Sequence, residues 1–209
     1  MNLWVFDLDG TLYDDTLAEK VWIETICGIL SKTTGKDPQI LIAERNPLRD
    51  KYKTRSSMIA YAMEYGWEMD YLVAATIKEL DLEKCGIQEN DQVLRDILTR
   101  LDGDRIVFTN NSIAHADRVL IRLGIKDLFV GIVGIENTKP HAKPELEAYQ
   151  KIEELYPGYT HRFLVDDTEE NLFPAKDRGW QPVWFVRTSE QRSSRFQTII
   201  SLAELLTRK

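Results

Sequence analysis

Apolar positions follow two kinds of pattern along this chain of 209 residues. Between residues 15 and 88 they recur every three or four positions, the spacing of amphipathic helices, and no strand-like pattern interrupts them. Before and after this stretch, short apolar runs alternate with helical patterns. That alternation is typical of a parallel sheet covered by helices on both faces.

The individual elements follow from these patterns and from the residues that begin and end helices. The predicted strands span residues 3–6, 105–109, 162–165 and 182–186, with a further apolar run at 129–135. Helices of the second region are predicted at 90–101, 114–123, 144–155, 170–178 and 202–207. In the first region, Asp15 or Thr16 caps a helix that ends at Gly35, and a second helix starts at Pro38 and stops before Pro47. Two more follow at 57–65 and 70–80.

The first strand belongs to the same sheet as the later ones, so the helical region is an insertion. The fold class is therefore α/β: a Rossmann-like parallel sheet with helices on both faces, plus a helical domain inserted after the first strand. We assign residues 1–14 and 89–209 to the α/β core and residues 15–88 to the inserted domain.

Composition narrows the partners and the compartment. The formal net charge of −7 disfavours nucleic acid, which binds basic surfaces. No apolar run reaches the roughly 18 residues needed to cross a bilayer. Cys27 and Cys85 have no metal-ligand spacing and lie among apolar residues, so we expect reduced, partly buried thiols and a cytoplasmic protein. A monomer or a homodimer is expected.

Two carboxylates follow the first strand. Because side chains alternate along a strand, Asp7 and Asp9 can face one spot while Leu8 points into the core. Gly10 allows a sharp turn, and Thr11 can hydrogen-bond within it. An EF-hand loop is excluded, since its sixth and twelfth positions would hold Leu12 and Ala18. These few residues alone leave a metal site and an ordinary acidic turn equally open.

Polar clusters also follow other predicted strands, where ligands of open parallel sheets bind. Thr109, Asn110 and Asn111 follow one strand, Asp166 and Asp167 follow another, and Lys143 lies between them in the chain. Each cluster alone is typical of a helix cap or a turn. All of them at strand ends, together with the first carboxylate pair, indicate a phosphate site.

The side chains have complementary chemistry. Asp7, Asp166 and Asp167 offer the oxygen ligands that Mg²⁺ prefers. Asp7 can attack phosphorus to form an aspartyl-phosphate, and Asp9 can protonate the leaving oxygen and later deprotonate water. Thr109 can donate to phosphate oxygens. Because a general acid starts protonated, we expect the pKa of Asp9 to lie above that of a free Asp.

The motifs DLDGT at residues 7–11, TN at 109–110, KP at 143–144 and VDDTEEN at 165–171 resemble those of the haloacid dehalogenase superfamily of phosphohydrolases. By this resemblance Asp7 is the nucleophile, Asp9 the acid/base, Thr109 the phosphate ligand and Lys143 the charge stabiliser. Asp167, with Asp166 beside it, matches the principal metal acid. Asn110 belongs to the substrate-binding motif, the backbone carbonyl of Asp9 usually completes the metal site, and Mg²⁺ is the implied cofactor. The inserted helices resemble the superfamily's cap domain.

Two residues refine this resemblance. Lys139 also precedes a proline, but the stretch KPELEAY makes Lys143 the better match to the family's lysine segment. Dehalogenases of the superfamily lack an acid at the position of Asp9 and need no metal, so a phosphate ester is the expected substrate.

Stretches such as FDLDGTLYDD and FTNNSIAHADRVLIRLGI are similar to those of pyrimidine 5'-nucleotidases, which makes a nucleoside 5'-monophosphate the first candidate substrate. A basic and aromatic cluster in the helical domain is either a nucleotide contact or a solvated helix face: Arg49, Lys51, Tyr52, Lys53, Arg55 and Met58. Alternatives are a beta-phosphoglucomutase-like mutase, a sugar phosphatase or phosphoglycolate phosphatase, and a regulatory protein that binds a phosphorylated metabolite without turnover.

Overall fold

The computed structural model describes residues 1–54, 56–188 and 195–207. The chain divides into two compact units, one of Met1–Asp14 with Ile87–Lys209 and the other of Asp15–Gly86. The sequence placed the second boundary two residues later. Arg122 Nε donates to the carbonyl oxygen of Ile87 at 2.7 Å, which ties that residue to the larger unit.

The larger unit is built on a six-stranded parallel sheet with the order β3-β2-β1-β4-β5-β6. Its strands are β1 (Asn2–Phe6), β2 (Asp104–Phe108), β3 (Gly131–Val133), β4 (His161–Asp166), β5 (Gln181–Phe185) and β6 (Gln197–Ile199). The order runs outward from β1 in both directions, so right-handed crossovers place helices on opposite faces. The predicted Rossmann-like α/β core is confirmed.

The helices of this unit are α5 (Gln92–Arg100), α6 (Ile113–Arg122), α7 (Ile135–Thr138), α8 (Leu146–Leu155) and α9 (Glu169–Asp177), with 3-10 turns at Lys126–Leu128 and Leu202–Thr207. The predicted cap of α5 was wrong by one residue. Asp91 accepts from the backbone N–H of Leu94, whereas Asn90 adopts a positive φ of 52°. The short strand β6 was missed, because three residues are too few to establish a period.

The helical unit contains α1 (Ala18–Thr34), α2 (Pro38–Lys51), α3 (Ser57–Tyr65) and α4 (Met69–Glu79). Two predicted ends were wrong. Leu17, not Asp15 or Thr16, precedes α1, and α2 continues through Pro47. A proline inside a helix removes one backbone hydrogen bond. Burial of Leu41 and Leu48, two turns apart on one face, holds the helix together across it.

Each unit has its own apolar core. The core of the larger unit includes Val5, Ile106, Phe108, Tyr149 and Leu164. The core of the helical unit includes Leu30, Leu41, Tyr61 and Leu72, and Cys27 lies within it. Cys27 and Cys85 are buried as reduced thiols. Among the residues described, no helix combines the length and the apolar character needed to span a membrane.

Candidate active site

The site lies where β1, β2 and β4 end. β1 pairs with both β2 and β4, so its carboxyl end lies at the point where the strand order reverses, which is where open α/β sheets bind ligands. Asp7 leaves β1 with its backbone N–H donating to the carbonyl oxygen of Val165 at 2.9 Å. Asp166 ends β4, and Thr109 follows β2. The sheet register therefore brings residues more than 100 positions apart in the chain to one edge.

The turn after β1 leaves no room for a side chain at Gly10. This residue has a φ of +81°, and an added Cβ would lie 2.7 Å from Asp167 Cγ. Leu8 is fully buried, as predicted for the position between the two carboxylates. Arg187 Nη2 donates to the carbonyl oxygens of Gly10 and Tyr13, each at 2.9 Å, and so holds the turn in place.

Lys143 is the cation of the site. Its ammonium donates to Asp7 Oδ1 at 2.6 Å and to Asp166 Oδ2 at 2.7 Å, and its side chain is 2% exposed. Burial alone would favour the neutral amine, but attraction to Asp166 and Asp7 outweighs it and raises the pKa of Lys143. Lys143 is therefore a permanently charged partner of Asp7. The rival Lys139 is exposed.

Three carboxylates at this edge form a possible cation site. Asp7, Asp166 and Asp167 each offer an oxygen, and these oxygens lie within 4.8 Å of one another. Asn171 Nδ2 donates to Asp166 Oδ1 at 2.9 Å, which orients that fully buried carboxylate. Burial and the neighbouring Asp166 and Asp9 raise the pKa of Asp7 against the opposing effect of Lys143. An all-oxygen donor set with excess negative charge fits Mg²⁺, which would keep these carboxylates ionised.

Asp9 lies among hydrogen-bond donors from three different segments. Tyr13 donates its hydroxyl to Asp9 Oδ1, and His115 Nε2 lies 3.4 Å from the same oxygen. Asn111 Nδ2 donates to Asp9 Oδ2 at 2.7 Å, and Thr109 Oγ1 lies 3.5 Å from that oxygen. Both oxygens of the Asp9 carboxylate are therefore in contact with polar side chains.

The predicted direction of the Asp9 pKa was wrong. Burial raises the pKa of Asp9, but hydrogen bonds from His115, Tyr13 and Asn111 and the charge attraction of His115 together lower it below its ordinary value. The expectation came from the need for a protonated acid and did not include the donors, which are a tyrosine four residues along the chain and two residues of segments about 100 positions away.

Asn110 and Thr109 are placed differently from one another. The side-chain amide of Asn110 engages the backbone of Lys143 at both ends: Nδ2 donates to its carbonyl oxygen at 2.9 Å, and Oδ1 accepts from its N–H at 2.8 Å. The Asn110 side chain therefore positions the backbone of Lys143, and the placing of Asn110 among the substrate-binding residues stays a prediction. Thr109 is buried, and its hydroxyl accepts from the backbone N–H of Asn111 at 3.0 Å.

Sequence reasoning assigned no role to Tyr13, His115 and Asn171, and it placed Asn111 in the polar cluster after β2 without its contact to Asp9. His115 lies in no recognised motif, yet it is 1% exposed and reaches Asp9 from the first turn of α6. The available signal was its position, since α6 begins directly after the polar end of β2. A helix that starts at a ligand-binding sheet edge directs its first turn toward that edge.

Lys51 and Tyr52 of the basic and aromatic cluster make polar contacts within the helical unit. Lys51 Nζ lies 2.5 Å from Glu64 Oε2, and the Tyr52 hydroxyl donates to the same oxygen at 2.8 Å. Met58 packs against the helical core. These contacts favour the solvated-face interpretation for Lys51 and Tyr52. Arg55 lies outside the described residues.

An open parallel sheet with a lysine and several carboxylates at its carboxyl edge is the arrangement of an α/β enzyme. The family model of the haloacid dehalogenase-like hydrolases matches residues 1–179. The chain belongs to this family, and it is an enzyme of the hydrolase class.

Solved structures agree with this fold. A HAD phosphatase from Thermococcus onnurineus is 20% identical, with a TM-score of 0.66 and coverage of 99% of this chain and 97% of that one. L-2-haloacid dehalogenase from Xanthobacter autotrophicus, with chloropropionic acid covalently bound, is 13% identical, with a TM-score of 0.60 and coverage of 98% and 96%. The HAD-hydrolase YfnB from Bacillus subtilis, bound to magnesium, is 18% identical, with a TM-score of 0.54 and coverage of 99% and 97%.

Proposed function

We propose that this protein is a magnesium-dependent phosphomonoesterase that acts through an aspartyl-phosphate. The observation that carries the proposal is the contact of the Asp7 carboxylate with the buried Lys143 ammonium, at 2.6 Å, inside a cluster of further carboxylates. A nucleophile beside a permanent cation suits attack on a phosphate dianion, whose charge the cation offsets. The similarity to a phosphatase is consistent with this chemistry.

In the first step, Asp7 attacks phosphorus through a carboxylate oxygen. The bond from phosphorus to the ester oxygen breaks, and that oxygen takes a proton from Asp9 and leaves as an alcohol. Asp9 rests with a lowered pKa. A bound phosphate dianion favours its protonated form by like-charge repulsion.

In the second step, water attacks the phosphorus of the aspartyl-phosphate and transfers a proton to Asp9. The acyl phosphate bond breaks, inorganic phosphate leaves, and the Asp7 carboxylate is regenerated. Lys143 and Thr109 hold the phosphoryl oxygens, with Asn110 fixing the backbone of Lys143. Asp7, Asp166, Asp167 and the Asp9 carbonyl would hold Mg²⁺, which when bound supplies Lewis-acid stabilisation of the phosphoryl charge.

Asp9 favours a phosphate ester over a halogenated substrate. A halide leaves without a proton, whereas an alkoxide leaves poorly unless it is protonated. We take a pyrimidine nucleoside 5'-monophosphate as the leading substrate, from the resemblance of the core motifs, and we assign selectivity to the helical unit as a cap. We expect a small phosphate ester as the partner whichever ester is the substrate, and the cytoplasm as the compartment.

The test is hydrolysis of a panel of phosphate esters with Mg²⁺ and with a chelator: pyrimidine and purine monophosphates, sugar phosphates and phosphoglycolate. Release of inorganic phosphate separates a phosphatase from a mutase. Asp7→Asn should abolish turnover, while Asp177→Asn, at an exposed position at the end of α9, should retain it. Activity that survives in purified Asp7→Asn enzyme, or a panel without any hydrolysis by the wild type, would refute the proposal.

A further inference from the structure

The carboxylate of Asp9 has a donor set that the proposed chemistry does not by itself require. A carboxylate rotates broadly about its last side-chain torsion unless both of its oxygens are held. Here Asn111 Nδ2 lies 2.7 Å from Oδ2, and His115 Nε2 lies 3.4 Å from Oδ1, which also accepts from the Tyr13 hydroxyl. Contacts at both oxygens oppose that rotation.

The backbone of Asn111 is held on both sides. Its N–H donates to Thr109 Oγ1 at 3.0 Å, and its carbonyl oxygen accepts from the N–H of Ile135 at 3.0 Å. A residue fixed at both backbone groups presents its side-chain amide from a defined position. Its hydrogen bond to Asp9 therefore restrains the carboxylate instead of following it.

His115 is similarly held. Its backbone N–H donates to the Ser112 hydroxyl oxygen at 3.2 Å, which is the N-cap contact of α6. The side chain is 1% exposed, and a buried polar ring is costly unless it makes polar contacts. A leucine would fill such a position in an ordinary helix with less cost. The contact with Asp9 is a reason for a histidine at this place.

We propose that Asn111 and His115 are positioning residues for Asp9, which hold its carboxylate in the orientation needed to protonate a poor leaving group. The proposal rests on the phosphatase function above and deepens it. It assigns the enzyme to alkyl phosphates, such as nucleoside or sugar phosphates, whose alkoxide leaves only with a proton. Esters of acidic phenols would depend least on the positioning of Asp9, because their phenolate leaves without a proton.

The test compares leaving groups in Asn111→Ala and His115→Ala. The kcat/KM value reports steps up to departure of the leaving group, so it isolates the first proton transfer. For an alkyl phosphate accepted by the wild type, we expect kcat/KM to fall about tenfold to a hundredfold, because a misplaced acid loses part of the roughly 10²- to 10⁴-fold that general acid catalysis contributes. For 2,4-dinitrophenyl phosphate, whose phenolate leaves without a proton, the change should stay below about threefold.

The ratio of the two kcat/KM values is the decisive quantity, because it does not depend on how much of a variant is correctly folded. Equal losses on both substrates would overturn the proposal and leave a structural role. His115→Gln, which keeps a side-chain N–H donor, should recover part of the ratio. His161→Ala, at an exposed histidine of β4, should leave the ratio at its wild-type value.

A double-mutant comparison shows whether the residues act through Asp9. In an Asp9→Asn background, His115→Ala should change the ratio no further, because the group that it positions has been removed. A further fall of tenfold or more there would contradict the proposal. A failed phosphatase function gives a different result, since the wild type would then hydrolyse no ester or Asp7→Asn would stay active.

Discussion

The ammonium of Lys143 donates to Asp166 Oδ2 at 2.7 Å, with 2% of the lysine side chain and none of the Asp166 side chain exposed to solvent. The same ammonium contacts Asp7, so one cation balances two buried carboxylates. Buried charges are tolerated only when they are paired. The ion pairs of Lys143 therefore contribute to the stability of the fold as well as to the chemistry of the site.

Lys143→Met should therefore lower the free energy of unfolding, by about 3 kcal/mol, because it leaves buried carboxylates without their cation. It should also abolish phosphatase activity. Chemical denaturation at neutral pH measures the first effect and phosphate release the second.

The matched control is Lys151→Met. Lys151 pairs with Glu154 at 2.9 Å on the surface of α8, with 41% and 64% of the two side chains exposed. Such a pair contributes at most about 0.5 kcal/mol, so the control should unfold like the wild type. Equal losses of unfolding free energy in the two variants would show that the buried ion pairs of Lys143 stabilise the protein no more than an exposed pair does.

Gly10→Ala should disturb the carboxylate cluster more than its backbone strain alone would. A Cβ at this position would lie 2.7 Å from Asp167 Cγ and push the carboxylate away. We expect weaker Mg²⁺ binding by about tenfold or more, because displacement of a metal ligand acts directly on affinity. Calorimetric titration with Mg²⁺ measures this without turnover.

Gly179→Ala separates the steric effect of an added Cβ on Asp167 from the cost of a left-handed backbone. Gly179 has a similar φ of +77°, but nothing lies within 4 Å of an added Cβ. It should lose about 1 kcal/mol of stability from its left-handed backbone and bind Mg²⁺ normally. If both glycine variants bind Mg²⁺ alike, Asp167 has no place in a metal site.

Asn110→Ala should impair catalysis through Lys143. It removes two hydrogen bonds, at 2.9 and 2.8 Å, that hold the lysine backbone. A displaced catalytic group can cost up to about a hundredfold, so we expect kcat to fall by about tenfold or more with the fold retained. Steady-state kinetics and circular dichroism measure the two properties.

The control is Asn2→Ala, which removes a long 3.3 Å contact to Asp102 at an exposed position. Its kcat should match that of the wild type. An unchanged kcat in Asn110→Ala would mean that Lys143 keeps its position without the asparagine.

Acidification should remove the contribution of the Glu153 carboxylate to the free energy of unfolding. Hydrogen bonds from Arg178 and from Trp180 Nε1, the latter at 2.9 Å, outweigh burial and lower the pKa of Glu153. A lowered pKa in the folded state stabilises the protein above the unfolded value of about 4.3, and this stabilisation is lost as pH falls through the folded value.

Glu153→Gln should thus reduce the free energy of unfolding by about 1 kcal/mol at pH 7. The difference from the wild type should begin to shrink as the pH falls below the unfolded value of about 4.3, and it should vanish below the lowered pKa of folded Glu153, where the carboxyl is neutral like the amide. Denaturation curves at pH 7 and at successively lower pH measure it. Glu154→Gln, at an exposed neighbour, should show no such dependence. A Glu153→Gln difference that persists in acid would point to packing instead of charge.

Much of the fold could be predicted because its signals are local. Apolar runs of four or five residues marked β1, β2, β4 and β5, and Gly35 and Gly66 ended α1 and α3 in left-handed conformations. Predictions failed where distant contacts override a local preference. Helix α2 continues through Pro47 because Leu41 and Leu48 are buried on the same face.

The carboxylates of the candidate site could be located for the same reason, whereas the contacts around them could not. Asp7, Asp9, Asp166 and Asp167 directly end or follow strands, a position visible in the sequence. His115 lies on a helix and reaches Asp9 only through the packing of α6, so no short motif identifies that contact.

The sequence by itself determined the order of the strands' polar ends, the family and the chemistry of each side chain, because these depend on residue type and on the period of a strand. The tertiary structure alone decided which groups meet. It paired Lys143 with Asp7 and Asp166, assigned the Asn110 amide to the Lys143 backbone, and lowered the pKa of Asp9. Electrostatic interactions and hydrogen bonds act over a few ångströms in space, and the number of residues between two groups in the sequence does not give their distance in space.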